Sequence, residues 1–261
     1  MTKGASTLAA TPPLLSERPV DDAQVPRMEL REWAERFGLV AGVTTRGQGF
    51  NLGLSTADDT GQVMARWRAF RAAHGDRCPA VVLSHQVHGT RIAWHNGGAA
   101  GLLILDGFDG HATAAAGILL AVTVADCVPV YLAAPDAGVI ALVHAGWRGV
   151  ADGVLGHAVE TLVQATSVGA AALVMHCGVA ICGACYEVGA DVASRLTRTD
   201  QARPARVDLR QLLAQQAAAL GIGAVSLSPW CSAHDRSWFF SHRASGGNDG
   251  RMVAYLGRPL A

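Results

Sequence analysis

The chain is almost without lysine: Lys3 stands alone among the 21 basic residues. A lysine Schiff base and a phosphate-loop lysine are thereby excluded, so any cation offered to a substrate has to be arginine. Net charge is missing too. The 21 acidic residues balance the basic ones, which removes the long-range attraction that draws proteins to nucleic acid or anionic membranes, and neither is an expected partner. Long apolar runs are absent. The longest covers residues 114–125 and stops at Asp126, well short of the ~20 residues a membrane helix needs. Residues 1–10 have no basic start followed by an apolar stretch, so no secretory signal is expected. The protein is placed in the cytoplasm, with its six cysteines as reduced thiols.

What is present is material for a core. Half of the 261 residues are hydrophobic and 16% are charged, which excludes a disordered chain and leaves room for one large domain or two small ones. Residues 1–27, with Thr11-Pro12-Pro13 and Asp21-Asp22, show no periodicity and read as a flexible leader. The spacing then predicts a short amphipathic helix over 28–35, a strand over 39–43 and a glycine-rich loop over 44–53. Met64, Trp67 and Phe70 share one face of a helix over 64–73 and read as core contacts. Apolar runs of strand length lie at 80–83, 102–105, 118–124, 128–132, 139–143 and 173–175. Helices are expected over 150–165, 186–196 and 209–220, with Gly221 ending the last. Strands and helices are interspersed, with no internal repeat and no interior linker, so residues 28–261 form a single expected domain.

Three polar residues follow or end apolar runs: His88 in Ser84-His85-Gln86-Val87-His88-Gly89, Cys127 in Ala125-Asp126-Cys127, and His144 in Val143-His144-Ala145-Gly146-Trp147-Arg148-Gly149. Two imidazoles and a thiolate suit Zn²⁺. Three protein ligands leave a fourth position for a reactant, the arrangement of catalytic rather than structural zinc. Gly89, Gly146 and Gly149 permit close backbone approach around such a site. Taken alone, a histidine on a strand end is usually a hydrogen-bonded structural residue.

The segments Gln86-Val87-His88-Gly89, Thr123-Val124-Ala125-Asp126-Cys127-Val128-Pro129-Val130 and Val143-His144-Ala145-Gly146-Trp147-Arg148-Gly149 closely resemble the multi-copper polyphenol oxidase, or laccase-domain, family. The likeness extends to Asp109-Gly110-His111-Ala112-Thr113, to Cys182-Gly183-Ala184-Cys185-Tyr186-Glu187-Val188-Gly189, and to Phe239-Phe240-Ser241-His242-Arg243 with Gly250-Arg251. The resemblance implies an α+β fold: a single-domain, four-layer α/β/β/α sandwich similar to the cytotoxic necrotising deamidase toxins. It implies one Zn²⁺ per chain, with copper as the alternative, held by His88, Cys127 and His144. It further implies a purine nucleoside phosphorylase acting on adenosine, inosine, guanosine or 5′-methylthioadenosine, with adenosine deaminase activity. The partners are then a purine nucleoside and phosphate, and the protein is a monomer or a small homo-oligomer. One departure is visible. Between Arg46 and Asn51 only Gly47, Gln48, Gly49 and Phe50 intervene, where the family has a longer Gly-Gly-Val-Ser loop that helps wall its pocket.

Residue chemistry suggests the remaining roles. Arg46 and Arg148 lie beside glycines in expected loops, and their planar, permanently charged groups match phosphate oxygens. A helix opening after Gly149 would let residues 148–150 frame an anion. An open zinc position can lower the pKa of water toward about 7, as deamination requires. Asp109 and Asp126 can orient ligating histidines or accept protons, or simply cap turns. Asn51 and Gln86 can read purine or ribose edges, or brace loops. Phe240 and Arg243, with Trp238, Phe239 and His242, can stack on and contact a purine, or pack a core edge. Cys182-x-x-Cys185, with Cys177 nearby, has spacing found in redox and zinc sites, and its small neighbours equally suit packed thiols.

Three competing readings remain. Copper-dependent oxidation of phenols is opposed by the ligand count, because laccase chemistry uses several coppers and many paired histidines. A Cys127–His144 nucleophile and base would make a hydrolase or amidase, such as a peptidoglycan-precursor editing enzyme. A metal-buffering protein without catalysis is the non-enzymatic reading.

Overall fold

The computed structural model describes residues 11–21 and 24–261, and it is organised by two sheets. One has seven strands in the order β1 (Arg18–Val20), β2 (Arg27–Glu29), β3 (Val40–Thr44), β15 (Met252–Gly257), β8 (Ile118–Val124), β4 (Ala80–His85) and β6 (Gly101–Asp106). The other has six: β14 (Ala224–Leu227), β11 (Val174–Cys177), β9 (Val128–Ala134), β10 (Val139–Ala145), β7 (Gly110–Thr113) and β5 (Ile92–His95). A ribbon of β12 (Glu187–Val188) and β13 (Ala205–Arg206) stands apart. The helices are α1 (Arg31–Phe37), α2 (Thr60–His74), α3 (Trp147–Ala151), α4 (Val154–Thr166), α5 (Ala190–Thr197) and α6 (Leu209–Leu220).

Alternation along the strands explains the layering, because successive side chains point to opposite faces. In β8, Ile118, Leu120 and Val122 enter the core between the sheets, while Leu119 and Ala121 meet α2. In β10, Ile140 and Leu142 face the same inter-sheet core, and Val139, Ala141 and Val143 face α4 and α6. The inner strands of both sheets are therefore buried on both faces, which makes their apolar runs continuous and yields the expected single-domain α/β/β/α sandwich.

The leader reading of residues 1–27 is corrected where the chain is described. Leu14 bridges Leu227, and residues 18–20 pair with β2. The fully buried Glu17 carboxylate accepts from Ser228 Oγ at 2.6 Å and lies 3.2 Å from His176 Nε2. Three-residue strands have too few positions to show a period, so pairing rather than pattern orders this segment. Residues 1–10, with Lys3, and Asp22 lie outside the described residues.

Pairing also overrides the expected helix over 28–35, whose first residues join β3 before α1 begins at Arg31. The helix expected over 150–165 is two helices, broken at Gly153 with φ 83°. That over 186–196 gives its first residues to β12. Among the described residues no helix is long and apolar enough to cross a membrane.

Candidate metal centre and pocket

Strands β4, β6 and β8 run parallel, so their C-terminal ends share one rim. From that rim three successive connections cross to the other sheet: 86–91 leads to β5, 107–109 to β7, and 125–127 to β9. They carry His88, Asp109 and Cys127. His144, one residue from the end of β10, pairs with Pro129 beside them. The site is thus assembled where the chain changes sheet.

The metal-binding atoms of His88, Cys127 and His144 lie within 4.8 Å of one another. The two imidazoles meet edge to face with centroids 4.8 Å apart. A Cβ on Gly146 would fall 2.8 Å from His88 Cδ2 and 3.1 Å from Cys127 Sγ, so only glycine admits the ring and the sulfur together. Burial would raise the Cys127 thiol, but the His144 and His88 imidazoles outweigh it and bring it down to about 6. Burial likewise opposes a charge on His144, while the Cys127 sulfur and the Asp109 carboxylate raise it to about 9. The donor set fits a divalent, thiophilic metal ion: one readily ionised sulfur and two imidazoles, with Gly146 leaving room for the sulfur and the His88 ring.

Asp109 organises the cluster. Its buried carboxylate accepts from the backbone N–H groups of Val87 (3.2 Å), His88 (2.8 Å) and Gly89 (2.7 Å), and it lies 2.9 Å from His144 Nδ1. Its carbonyl oxygen accepts from the His144 N–H at 2.7 Å. Burial works to raise its pKa, but these donors together leave it lowered. The contact to Nδ1 leaves Nε2 of His144 for a metal, the orientation that carboxylates impose on ligating histidines. The same three N–H groups hold His88 at φ 60°, a left-handed conformation that a non-glycine residue keeps only under such constraint.

Asp126 fixes the other connection. Its φ is 89°, and its carboxylate accepts from Ser232 Oγ and the Arg243 N–H, both at 2.6 Å, while its carbonyl accepts from Ile181 N–H. The adjacent Cys127 is thereby aimed at the histidines. Asp109 and Asp126 are holders of backbone, and neither lines the pocket.

The cluster opens into a cavity of about 590 Å³ that Arg148, Arg251, His242, Gln86, Thr123 and Thr56 help to line. Arg148 stacks its guanidinium 4.5 Å from the Trp147 ring centre and, among the described residues, has no carboxylate partner, leaving its charge available. The framing of an anion by residues 148–150 is corrected: α3 already starts at Trp147, and Val150 N–H donates to Gly146 O. Of residues 148–150, Arg148 alone lines the cavity.

The other expected site residues sit differently. The Gln86 amide lines the cavity, yet it donates to Thr123 O and accepts from Thr123 N–H and Oγ1, so its edge is engaged. Asn51 is buried, with Oδ1 accepting from Gly53 and Arg251 N–H and Nδ2 donating to Thr56 Oγ1. Both amides brace loops instead of presenting free edges. Arg46 lies outside the cavity lining, over the Phe240 ring at 5.1 Å and 4.0 Å from Asp249. Phe240 is buried in the inter-sheet core, and Arg243 covers Tyr186 at 4.9 Å while donating to Glu187 O. Arg251 is legible in the sequence only as part of a motif, and His242 as one of several expected purine contacts. Their place on the cavity wall depends on the C-terminal loop returning against residues 53–56.

Known proteins resemble this chain over most of its length. A family model described as multi-copper polyphenol oxidoreductase laccase matches residues 36–259, and the chain belongs to that family. The purine nucleoside phosphorylase YlmD of Geobacillus stearothermophilus is 34% identical over 254 residues, covering 85% of this chain and 90% of that protein. The purine nucleoside phosphorylase ORF3 of Streptomyces griseus is 37% identical, covering 79% and 85%. The crystal structure of the Geobacillus YlmD superposes with a TM-score of 0.85 at 30% identity, over 94% of this chain and all of that one.

Proposed function

We propose that this chain is a zinc-dependent purine nucleoside phosphorylase, acting on adenosine, inosine, guanosine or 5′-methylthioadenosine, with adenosine deaminase activity. The observation that carries the reading is a thiol and two imidazoles converging beneath a cavity that also contains Arg148, which has no carboxylate partner among the described residues. The relatives named as phosphorylases support it. His88, Cys127 and His144 would hold the ion. Zn²⁺ supplies Lewis acidity there when bound.

Phosphorolysis breaks the bond between the ribose and the purine nitrogen, forms a bond from ribose to a phosphate oxygen, and leaves the purine to take up a proton. Arg148 holds the phosphate by charge-assisted hydrogen bonds, with Trp147 fixing its direction. Arg251 adds a second positive wall. Asp109 keeps the histidines oriented, and the engaged amides of Gln86 and Asn51 keep the walls rigid. Deamination instead replaces the adenine amino group by a water oxygen and releases ammonia.

The test is to incubate the zinc-loaded protein with each nucleoside, with and without phosphate. Phosphate-dependent release of free base and formation of inosine from adenosine are expected, and absence of both from every nucleoside overturns the assignment. Arg148→Ala is expected to raise KM for phosphate about tenfold or more, because one charge-assisted contact is lost. Unchanged phosphate dependence would remove Arg148 from the anion site.

The lowered Cys127 thiol favours a second reading, a Cys–His hydrolase. In chelator-treated protein, alkylation of Cys127 should persist at neutral pH and fall as pH drops through about 6, since the thiolate is the reactive form above that value. Zinc should suppress the labelling. Equal labelling with and without zinc would favour the hydrolase.

A further inference from the structure

The six cysteines fall into three environments. Cys78 and Cys177 are buried among apolar side chains, and Cys127 belongs to the pocket. The other three gather elsewhere. Cys182 and Cys185 sit on a tight turn in which Cys182 O accepts from the N–H groups of Cys185 and Tyr186, both at 3.0 Å. Cys231-Ser232-Ala233-His234 arrives on a different loop, fastened by the parallel bridge between Ala180 and Cys231 and by Ser232 N–H donating to Ala180 O.

Sulfurs of Cys182, Cys185 and Cys231 and a ring nitrogen of His234 all lie within 4.8 Å of one another. Cys185 Sγ is 3.0 Å from His234 Nε2, and Cys182 N–H points at Cys231 Sγ from 3.3 Å. Packing does not account for the group. Cys182 and Cys185 are half-buried and join no apolar core, and His234 is exposed. The spacing is C-x-x-C with C-x-x-H, and a tetrahedral zinc with bonds of ~2.3 Å to sulfur and ~2.0 Å to nitrogen would set ligand separations of about 3.5–3.8 Å. Small shifts of these side chains close the cage.

We propose that Cys182, Cys185, Cys231 and His234 bind a second Zn²⁺, a structural ion with no open position. Three thiolates and a neutral imidazole coordinate it, and any thiol protons displaced on binding pass to solvent. The ion clips together the two loops whose neighbouring residues, Ile181 and Ser232, grip Asp126 beside Cys127. This site is independent of the chemistry assigned to the pocket.

The experiment measures zinc per chain in the full-length protein after zinc loading and removal of loosely held metal. The wild type is expected to hold two equivalents. His88→Ala should lose one of them, and His234→Ala or Cys231→Ser should lose the other. Because Cys231 is buried and its variant can misfold, cobalt substitution of the wild type provides a second readout. The ion at the second site should show thiolate charge-transfer absorption about three times that of a one-thiolate site. Cobalt saturating at one equivalent with one-thiolate absorption overturns the proposal. So does full zinc content in both His234→Ala and Cys231→Ser. Protein handled without reductant should give six reactive thiols in denaturant with chelator, and a count two short, marking a disulfide, also overturns it.

Discussion

Replacing Asp109 with alanine is expected to weaken zinc binding about 10–100-fold, the typical loss when the group orienting a ligating histidine is removed. The substitution leaves three backbone N–H groups and the His144 ring without their acceptor in a buried place. Each such donor costs roughly 1–3 kcal/mol unless water reaches it. His88 would also lose the constraint that keeps it at φ 60° and relax away from the cluster. Asp109→Asn should fall between, because its amide has one acceptor oxygen and turns its NH₂ toward donors. Competition with a chromophoric chelator reads the affinity, and urea unfolding with chelator present isolates the stability term. If Asp109→Ala retained wild-type affinity, this carboxylate would not be what orients the histidines.

Trp67→Ala is expected to lose about 3–5 kcal/mol of stability through packing alone. Trp67 is 1% exposed and packs edge to face with Phe70 between α2 and the seven-stranded sheet. Its indole N–H donates to Leu52 O at 3.0 Å. Trp67→Phe keeps most of the packing and loses that bond, so roughly 1–2 kcal/mol is expected. Leu52 lies next to Asn51 and Gly53, and residues 53–56 line the cavity. Both variants should therefore raise KM for the proposed nucleoside substrate more than they lower kcat. A midpoint shift in urea without a change in slope would confirm that the native core alone is affected. A Trp67→Ala protein within 1 kcal/mol of wild type would contradict the burial described here.

The sequence disclosed most where a segment has its own signal. Residues 118–124 and 209–220 form the strand and helix expected of them, because a continuous β-rich run and a periodic stretch ended by glycine are local patterns. β15 went unseen: its six residues are buried on both faces, show no alternation, and follow a polar loop. β2 and β12 are too short for any period and are defined only by their partners. At the site, the proposed metal ligands were legible from residue type and motif. Asp126 and Asn51 could not be assigned between contact and bracing, since the answer lies in donors far away in the chain, Ser232, Arg243 and Arg251. The Cys182-x-x-Cys185 pair was ambiguous for the same reason, as its partners Cys231 and His234 arrive through tertiary structure.

The position of β15 between β3 and β8 bears on biosynthesis. The interior of the seven-stranded sheet stays divided until residue 257 has emerged from the ribosome, and β3 and β8 expose unpaired edges throughout elongation. Closure is consequently a late, long-range event, slow by topology and exposed to association between nascent chains. A messenger truncated just before this strand should yield aggregated product, even though every proposed metal ligand would already have been translated.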